Sequence, residues 1–450
     1  MPTTEVTVRD SLEEDYNEQS RCIVMKLAIF FDGLSNEPLE VTRDDYLIDA
    51  ELLEETGADS KNPLGSVSSN ELSFSLYNES GLFSPTNKDS KYYGKIKTGV
   101  PVKAYLGPEI DKVNINPDKL GLFYVTDWNA TITGITANVV ANDRLYNIFG
   151  LPSVKLPVKQ STSMVQLYKD FFDAIHEEVS IDAELTEQLV FAYCVDNNKD
   201  FLNELAIGSQ SYVFCNRDGV PRVEYARGPQ EVKHTLTDAD QIVNISSTQS
   251  ILTEYTGAEV IMNKPQESGV ETLLSINELD IPEDGYESVL TSFTKTPVYK
   301  ITAAQLSGDK NAFISSVAAT CLDVLYTIEN NNGIAIKNKL EILGTYIDIV
   351  SSNYTYGEGT LLSVDNIYIQ THEYAEKFLK FLKAYVTNAV PVLELEIRGN
   401  PKYLPGEKLH IISEKYNVDF TGILVRQHYK YDGGLSSTIK LFNSEIMEVV

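Results

Sequence analysis

The residues best suited to chemistry lie at His176-Glu177-Glu178, where an imidazole is followed by two carboxylates. An imidazole beside carboxylates can move protons or hold a divalent metal ion. A zinc protease would need the spacing H-E-x-x-H, and no Asp or His cluster elsewhere in the sequence completes a set. We therefore interpret these residues as the solvated end of a helix and predict that the chain is not an enzyme.

Two other segments carry clustered oxygen ligands. Asn114-x-Asn116-x-Asp118 has the alternation of a calcium loop, but the central Gly and the bidentate Glu of such a loop are missing. Asp196-Asn-Asn-Lys-Asp200 has the composition of a loop and helix cap. The G-x-G-x-x-G, P-loop and G-x-S-x-G patterns do not occur in the sequence. We therefore expect no metal site, no cofactor and no catalytic residue.

The cysteines give no sign of metal binding. There are four of them, Cys22, Cys194, Cys215 and Cys321. They show no C-x-x-C spacing, and no histidine lies at a metal-ligand offset from them. We interpret them as buried, reduced thiols of a protein made in a cytosol.

Composition favours a β-rich protein with several domains. The 450 residues exceed one ordinary domain, and the hydrophobic content of 42% is enough for packed cores. The 26 Tyr residues, with many Val, Ile and Thr, favour strands. No apolar run approaches the length of a membrane span. Residues 1–20 hold one Arg and six acidic residues, which is unlike a signal peptide, and we interpret them as an acidic N-terminal arm.

The net charge limits the kind of partner. It is −28 with histidine neutral. A protein with this charge repels the phosphate backbone, so the composition excludes a nucleic-acid clamp. Solubility alone also explains such a charge.

The elements that position these residues begin with a run of strands over residues 21–158. Leu72, Phe74 and Leu76 alternate with polar residues, which is the period of a strand with one buried face. A turn over Asn78-Glu-Ser-Gly81 follows, and Pro85 ends the element. Further strands are predicted at Ile23 to Phe31, Tyr46 to Glu54, Tyr92 to Ile96, Val100 to Leu106, Gly121 to Thr133 and Ile135 to Ala141. Short strands separated by turns are typical of a barrel or sandwich.

Residues 159–235 have the pattern of a small α/β domain. Ser161-Thr-Ser163 can cap a helix that carries one apolar stripe as far as Ile175. A second helix, around Lys199 to Ala206, is predicted to stop at Gly208. A hairpin is then predicted across Asn216-Arg-Asp-Gly219.

Residues 236–363 are predicted to form a β-rich middle region. Its predicted strands are Tyr255 to Asn263, Glu271 to Ile276, Tyr286 to Phe293, Pro297 to Ile301 and one or two within Ile334 to Ile349. Residues 364–450 begin with an amphipathic helix, Thr371 to Thr387. Strands follow at Val392 to Arg398 and Lys408 to Ile412, and Asp432-Gly-Gly434 turns a final hairpin.

Several of these segments resemble the tail and baseplate hub proteins of bacteriophages. A strand and turn of the first barrel of that family are similar to the strand that closes in Asn78-x-x-Gly81-x-Phe-Ser-Pro85. The closing hairpin of the same barrel is similar to Gly121-Leu-Phe-Tyr-Val to Trp128, followed by a strand ending in Asp143-Arg-Leu. The pattern Val-Phe-x-x-Arg-Asp-Gly219 resembles the small α/β domain that follows.

The end of the chain resembles the second barrel of the same family. The segments concerned are Arg-Gly-Asn-Pro-x-x-x-Pro-Gly-Glu407 and Tyr-Asp-Gly-Gly434. We predict the following structural turn and motif residues: Asn78, Gly81, Pro85, Trp128, Asp143, Arg144, Gly219, Asn400, Pro401, Gly406, Gly433 and Gly434. Among them, Gly81 and Gly434 are expected to adopt a positive φ.

The resemblance implies a mainly β fold with α+β parts: a first tube-like β-barrel over 21–158, a small α/β domain over 159–235, and a helix with a second tube-like β-barrel over 364–450. The β-rich middle region over 236–363 would be part of this second barrel or inserted in it. It implies a homotrimeric structural virion protein, a hub at the distal end of the tail that joins the six-fold tail tube to a three-fold tip. Its implied partners are the tail tube and distal tail proteins, a tail tip or spike protein, and the tape-measure protein, and DNA would pass it without specific binding. The protein would be made in the bacterial host cytoplasm and would lie in the virion, at the tail tip or baseplate.

Two other functions remain open at the level of sequence. One is a tail-associated carbohydrate-binding or hydrolytic β-protein with its acids in the middle region. The other is a receptor-binding tip protein, which would lie at the outer tip of the tail rather than on its axis.

Overall fold

The computed structural model describes residues 22–57, 65–111, 114–115, 117–131, 133–182, 185–194, 197–226, 231–238, 242–246, 255–283, 286–387 and 392–447. The predicted acidic arm over 1–20 lies outside the described residues, as do Asn116 of the calcium-like segment and Asp196 of the predicted cap.

The first part of the chain is built of strands and ends in a short helix. Its elements are β1 (Ile23–Ile29), β2 (Leu39–Val41), β3 (Leu47–Glu55), β4 (Ser66–Val67), β5 (Glu71–Tyr77), β6 (Pro101–Asp111), β7 (Asn114–Ile115), β8 (Asp118–Ala130), β9 (Thr136–Asn142) and α1 (Arg144–Phe149). The alternation of Leu72, Phe74 and Leu76 appears as predicted, because all three side chains are buried. They join a core to which all the larger strands of this part contribute.

The described residues that follow form two helices and two small sheets. The elements are β10 (Lys159–Ser163), α2 (Met164–Ala174), β11 (Ser180–Ile181), β12 (Gln188–Ala192), α3 (Asn198–Ser209), β13 (Ser211–Cys215) and β14 (Pro221–Tyr225). Ser163 caps α2 as predicted, since its hydroxyl accepts a hydrogen bond from the Gln166 N–H. Helix α3 runs past the predicted stop at Gly208 and ends at Gln210, which adopts φ +54°.

The middle of the chain is almost wholly strand. Its elements are β15 (Val232–Thr237), β16 (Ile242–Ser246), β17 (Gly257–Glu267), β18 (Glu271–Ile281), β19 (Tyr286–Ser292), β20 (Val298–Ser307), β21 (Ala312–Ala319), β22 (Asp323–Asn330), β23 (Ile336–Gly357) and β24 (Leu361–Asn366). Strands β17, β18, β20, β23 and β24 form one sheet, and β19, β21 and β22 form another.

The last part contains a long helix, four strands and a terminal turn of helix. The elements are α4 (His372–Thr387), β25 (Val392–Ile397), β26 (Lys408–Ser413), β27 (Val418–Tyr431), β28 (Leu435–Asn443) and α5 (Ser444–Met447). The apolar stripe predicted for the helix is buried as expected, and it consists of Tyr374, Phe378, Phe381, Leu382 and Tyr385.

One large sheet joins the two ends of the chain. Within the described ranges it has fourteen strands, and its main path runs β16-β25-β28-β27-β3-β5-β9-β8-β6-β1-β2. The pairing of β3 with β27 is antiparallel and sets Leu52 opposite Tyr429. On one side of this pairing the sheet covers the first core, and on the other it covers a separate core that includes Leu395 and Ile411. The predicted mainly β class is confirmed.

The sheets cross the domain boundaries that the sequence predicted. Strand β4, from the first part, pairs in parallel with β13 of the α/β part. Strand β15, at the end of the α/β part, pairs with β26 near the end of the chain. The boundaries themselves stay a prediction.

Other sequence-based predictions also differ from the structure. Tyr92 to Ile96, predicted as a strand, is a series of turns in which the Lys95 N–H bonds the Tyr92 carbonyl at 2.9 Å. Strands β21 and β22 were not predicted. Cys22, predicted to be buried, is exposed.

Candidate functional site

Several of the motif residues meet at a buried junction beside the pairing of β3 with β27. Its centre is Arg217, in the turn between β13 and β14. The Asn216 side chain fixes this turn by accepting hydrogen bonds from the N–H groups of Asp218 at 2.9 Å and Val220 at 3.0 Å. Gly219 completes it with φ +83°, a conformation that side chains rarely adopt.

The Arg217 guanidinium contacts both parts of the large sheet. Its Nε and Nη2 atoms donate to the two carboxylate oxygens of Glu54, on β3, at 2.8 Å and 2.7 Å. Its Nη1 atom donates to the carbonyl of Pro401, and Nη2 lies 3.4 Å from the Tyr429 hydroxyl on β27. The side chains of Arg217 and Glu54 are 16% and 4% exposed. A bidentate pair with this burial fixes the relative orientation of three elements.

The electrostatics of the junction follow from its burial. Burial alone would lower the pKa of Arg217, but the Glu54 carboxylate outweighs it and holds the pKa above its ordinary value. Burial also raises the pKa of the Tyr429 hydroxyl, so this group stays neutral. Breaking the ion pair would leave an uncompensated charge in the interior.

Asn400 and Pro401 form the side of the junction that belongs to the second core. The Asn400 carbonyl accepts hydrogen bonds from the Gln427 amide at 3.2 Å and from the Tyr429 hydroxyl at 3.3 Å. Gly406 lies in the same connection with φ +94°, and its N–H donates to the Leu424 carbonyl at 2.7 Å.

Glu224 on β14 is a buried carboxylate at the edge of the junction. A Cβ on Gly406 would lie 2.8 Å from its Oε1 atom, so a side chain there would displace the carboxylate. Burial raises the pKa of Glu224 to about 6, and the charges of Asp182 and Glu407 add to the rise while Arg222 opposes it. Arg222 is its ion-pair partner at 3.2 Å.

Asp143 and Arg144 attach the first core to the α/β part. The Asp143 carboxylate accepts hydrogen bonds from the Asn70 N–H and the Ser69 hydroxyl, both at 2.8 Å, and caps α1 through the Leu145 N–H at 3.0 Å. Burial raises its pKa to about 6 against these hydrogen bonds. The Nε atom of Arg144 donates to Glu177 at 3.0 Å.

The contact of Arg144 with Glu177 gives the three residues of His176-Glu177-Glu178 different environments. Glu177 is half-buried against Arg144 rather than solvated, whereas His176 and Glu178 are exposed. His176 adopts φ +58° immediately after α2.

A second cluster of motif residues lies at the other end of β5. The Asn78 side chain accepts a hydrogen bond from the Phe83 N–H at 2.7 Å and donates to the Ser84 hydroxyl at 3.0 Å, which closes the predicted turn. Gly81 adopts φ +65°, as predicted. The Trp128 indole donates to the Phe83 carbonyl at 2.9 Å, and the half-buried Pro85 follows. This cluster lies apart from the Arg217 junction and fixes one end of the first core.

The two glycines of the last hairpin differ. Gly433 adopts φ +102°, and a Cβ there would collide with the guanidinium of Arg43. Gly434 does not have a positive φ, so the prediction of such a conformation there is wrong. The atom nearest to a Cβ on Gly434 is Asp432 Oδ1, at 3.9 Å.

The junction borders a small pocket. A pocket of about 220 Å³ lies beside it, lined in part by Glu54, Asn70, Cys215, Arg217 and Arg222. No group of three or more His, Cys, Asp or Glu side chains is placed to hold a metal ion in the described part of the chain. Within the same residues, no helix is long and apolar enough to cross a membrane.

Solved structures supply the comparison that sequence does not. The sequence matches no protein-family model and no curated protein. The structure is similar to the 43 kDa tail protein of prophage MuSo2 from Shewanella oneidensis, over 94% of this chain and 100% of that one, with a TM-score of 0.54 and 10% identity. It is also similar to the tail protein from Neisseria meningitidis MC58, over 94% and 98% of the two chains, with a TM-score of 0.52 and 9% identity. The chain has the fold of phage tail proteins.

Arg217 is the main residue of this tail-protein fold that sequence reasoning missed. It stands inside the motif that ends in Gly219, yet only the glycine was predicted to matter. The sequence feature that could have indicated it is its place in a short turn between two strands, from which a long cationic side chain can reach a neighbouring sheet. Its partners could not be found from the sequence, because Glu54 and Tyr429 lie 163 and 212 residues away.

Proposed function

We propose that the chain is a structural virion protein, a hub at the distal end of a phage tail. The observation that carries this proposal is the pairing of β3 with β27, which sets two groups of strands, each with its own core, side by side in one sheet. Three copies would present six such groups. That number would match a three-fold hub to a six-fold tail tube.

The ends of the large sheet support strand-to-strand contact between copies. Among the described residues, β2 pairs only with β1, and β16 pairs only with β25. An unpaired strand edge is a template for pairing with another chain. Contact between the β2 end of one copy and the β16 end of the next would close a ring of three.

A charge introduced at this edge tests the ring. Val243 on β16 is 53% exposed, and Val243→Lys would oppose the pairing of edges. Val270→Lys is the matched control, because Val270 is 61% exposed but lies in the connection before β18. We expect light scattering to give a trimer for the unaltered protein and the control, and a smaller species for Val243→Lys.

Virus particles provide the second measurement, because there the tail tube is present to support formation of the ring. A monomer at high concentration together with virion images that show no threefold ring would overturn the proposal. A position at the outer tip rather than on the tail axis would favour the receptor-binding function instead.

The distribution of charge supports passage of DNA without binding. Residues 163–235 contain 6 basic and 13 acidic residues, whereas residues 389–450 contain 7 and 8. Basic residues on a channel wall would recruit phosphates and trap DNA in a salt-dependent way. The hub channel would therefore be lined more by Asp and Glu than by Lys and Arg, and the nearly neutral C-terminal part would meet other proteins, such as the tube, distal tail and spike subunits. A map of the ring with a basic lumen would contradict this arrangement.

A further inference from the structure

Two cysteines far apart in sequence meet in the interior. The sulfur atoms of Cys194 and Cys321 lie 3.8 Å apart, although the two residues are 127 positions apart in the chain. Both residues are buried, at 3% and 0% exposure. Cys194 follows β12 of the α/β part, and Cys321 lies in the turn between β21 and β22 of the middle region.

The surroundings fix these two segments against each other. Lys155 forms an ion pair with the buried carboxylate of Asp323, two residues after Cys321. The rings of Phe191 and Tyr299 pack edge to face at 5.2 Å, and the Tyr299 hydroxyl donates to the Gln160 side chain at 3.1 Å. The thiols therefore lie in a packed contact between two parts of the molecule.

The two thiols have different environments. The Leu156 N–H donates to the Cys194 sulfur at 2.9 Å, which favours its thiolate. The hydrogen bond from Cys321 lowers the pKa of Cys194, and the same contact raises the pKa of Cys321. Cys194 is thus the better nucleophile, and Cys321 keeps its proton.

We propose that Cys194 and Cys321 are a latent cross-link, reduced when the protein is made and closed to a disulfide by a peroxide. In the first step the Cys194 thiolate attacks one peroxide oxygen, the O–O bond breaks, and a sulfenic acid and water form once the leaving hydroxide takes up a proton. In the second step the Cys321 sulfur attacks the Cys194 sulfur, the S–O bond breaks, and a second water leaves with the Cys321 proton. Two thiols are oxidised and one hydrogen peroxide is reduced to two waters.

The geometry requires only a small movement. A disulfide has sulfur atoms about 2.05 Å apart, so the two sulfurs must approach by about 1.8 Å. The closed bond would tie the middle region to the α/β part and close a long loop, which stabilises a protein by limiting its unfolded chain.

Peroxide treatment of the full chain tests the cross-link. Cys22→Ser provides the background, because Cys22 is exposed and would react with other copies. We expect hydrogen peroxide to yield one linked peptide pair containing residues 194 and 321, lighter by two hydrogen atoms and separated again by a thiol reductant. We also expect the unfolding midpoint of the oxidised protein to rise by several degrees.

Single variants distinguish the two roles. With Cys321→Ser, Cys194 should stop at the sulfenic acid and be trapped by dimedone, whereas Cys194→Ser should leave Cys321 as a thiol. Cys215→Ser, which removes the third buried thiol, should leave the linked peptide unchanged. Two free thiols at 194 and 321 after peroxide has oxidised Cys22 in the unaltered protein would overturn the proposal, and so would a sulfinic acid at Cys194 beside a free Cys321. The first outcome is read in the unaltered protein and the second in the Cys22→Ser background, so neither depends on how well the other variants fold.

Discussion

The guanidinium of Arg217 and the carboxylate of Glu54 form two parallel hydrogen bonds, at 2.8 Å and 2.7 Å, across the contact between the α/β hairpin and the large sheet. Strand β3, which carries Glu54, is also the strand that pairs with β27. One ion pair therefore holds the hairpin to the place where the two groups of strands meet.

Removing one partner of this pair should destabilise the protein strongly. Arg217→Met leaves Glu54 buried without its counter-charge, which typically costs about 3–5 kcal/mol. The double variant Arg217→Met with Glu54→Leu should recover much of this loss, because no charge then remains buried. Denaturant unfolding of both variants checks the prediction.

The control for this experiment is an exposed ion pair in the same turn. Asp218 is 75% exposed and pairs with Lys119, so Asp218→Ala should cost about 1 kcal/mol or less. Equal losses for Arg217→Met and Asp218→Ala would show that the junction does not depend on the buried pair.

Adjacent glycines should differ in their tolerance of alanine. Gly433→Ala places a methyl group against Arg43 at φ +102°, and the conformation alone costs about 1–2 kcal/mol. Gly434→Ala meets no such contact and should change stability by about 0.5 kcal/mol or less. Gly81→Val, at φ +65°, should behave like Gly433→Ala. Soluble yield and thermal unfolding of the three variants give the comparison, and equal stability of the Gly433 and Gly434 variants would contradict it.

Asp143 should contribute more than an ordinary helix cap. Asp143→Ala removes the cap of α1 and leaves the buried Asn70 N–H without its carboxylate partner. A lost cap costs about 1 kcal/mol and an unsatisfied buried donor about 1–3 kcal/mol, so the free energy of unfolding should fall by about 2–4 kcal/mol. Ser163→Ala is the control, because it removes only the partly exposed cap of α2 and should cost about 1 kcal/mol.

Local patterns predicted the elements of this fold better than their pairing. The alternation of Leu72, Phe74 and Leu76 with polar residues predicted β5 correctly, because a sheet with one buried face requires an apolar side chain at every second position. The strand predicted over residues 92–96 is wrong because hydrogen bonds within turns outweigh the strand propensity of Tyr92 and Tyr93. Propensity alone does not take such hydrogen bonds into account.

Strand β21 and the junction could not be predicted, for other physical reasons. Strand β21 exposes Phe313 and Ser315 to Ser316, with a register shift after Ile314, so its sequence does not alternate cleanly. The junction depends on pairs such as Arg217 with Glu54, which share no local pattern. The motif glycines could be predicted because a turn limits residue choice at one position, whereas the choice of a distant ion-pair partner leaves no trace nearby.

The last prediction concerns pH and rests on Glu224. Burial raises its pKa from 4.5 to about 6, so between these values the folded state binds more protons than the unfolded state. Its contribution to stability is therefore fully present below about pH 4.5 and is lost as the pH rises through about 6. The loss is about 2 kcal/mol at most, since one pKa unit corresponds to about 1.4 kcal/mol.

A neutral isostere isolates this contribution from that of Asp143, whose raised pKa acts in the same direction. Glu224→Gln should match the unaltered protein near pH 4.5 and exceed it in stability by about 1–2 kcal/mol near pH 7.5, because only the unaltered protein must then bury a charge. Glu358→Gln, at an exposed turn between β23 and β24, should change stability little at either pH. Denaturant unfolding at both pH values measures these differences in stability. If Glu224→Gln is less stable than the unaltered protein at pH 7.5, the prediction is wrong and the ion pair with Arg222 outweighs the cost of burying the Glu224 charge.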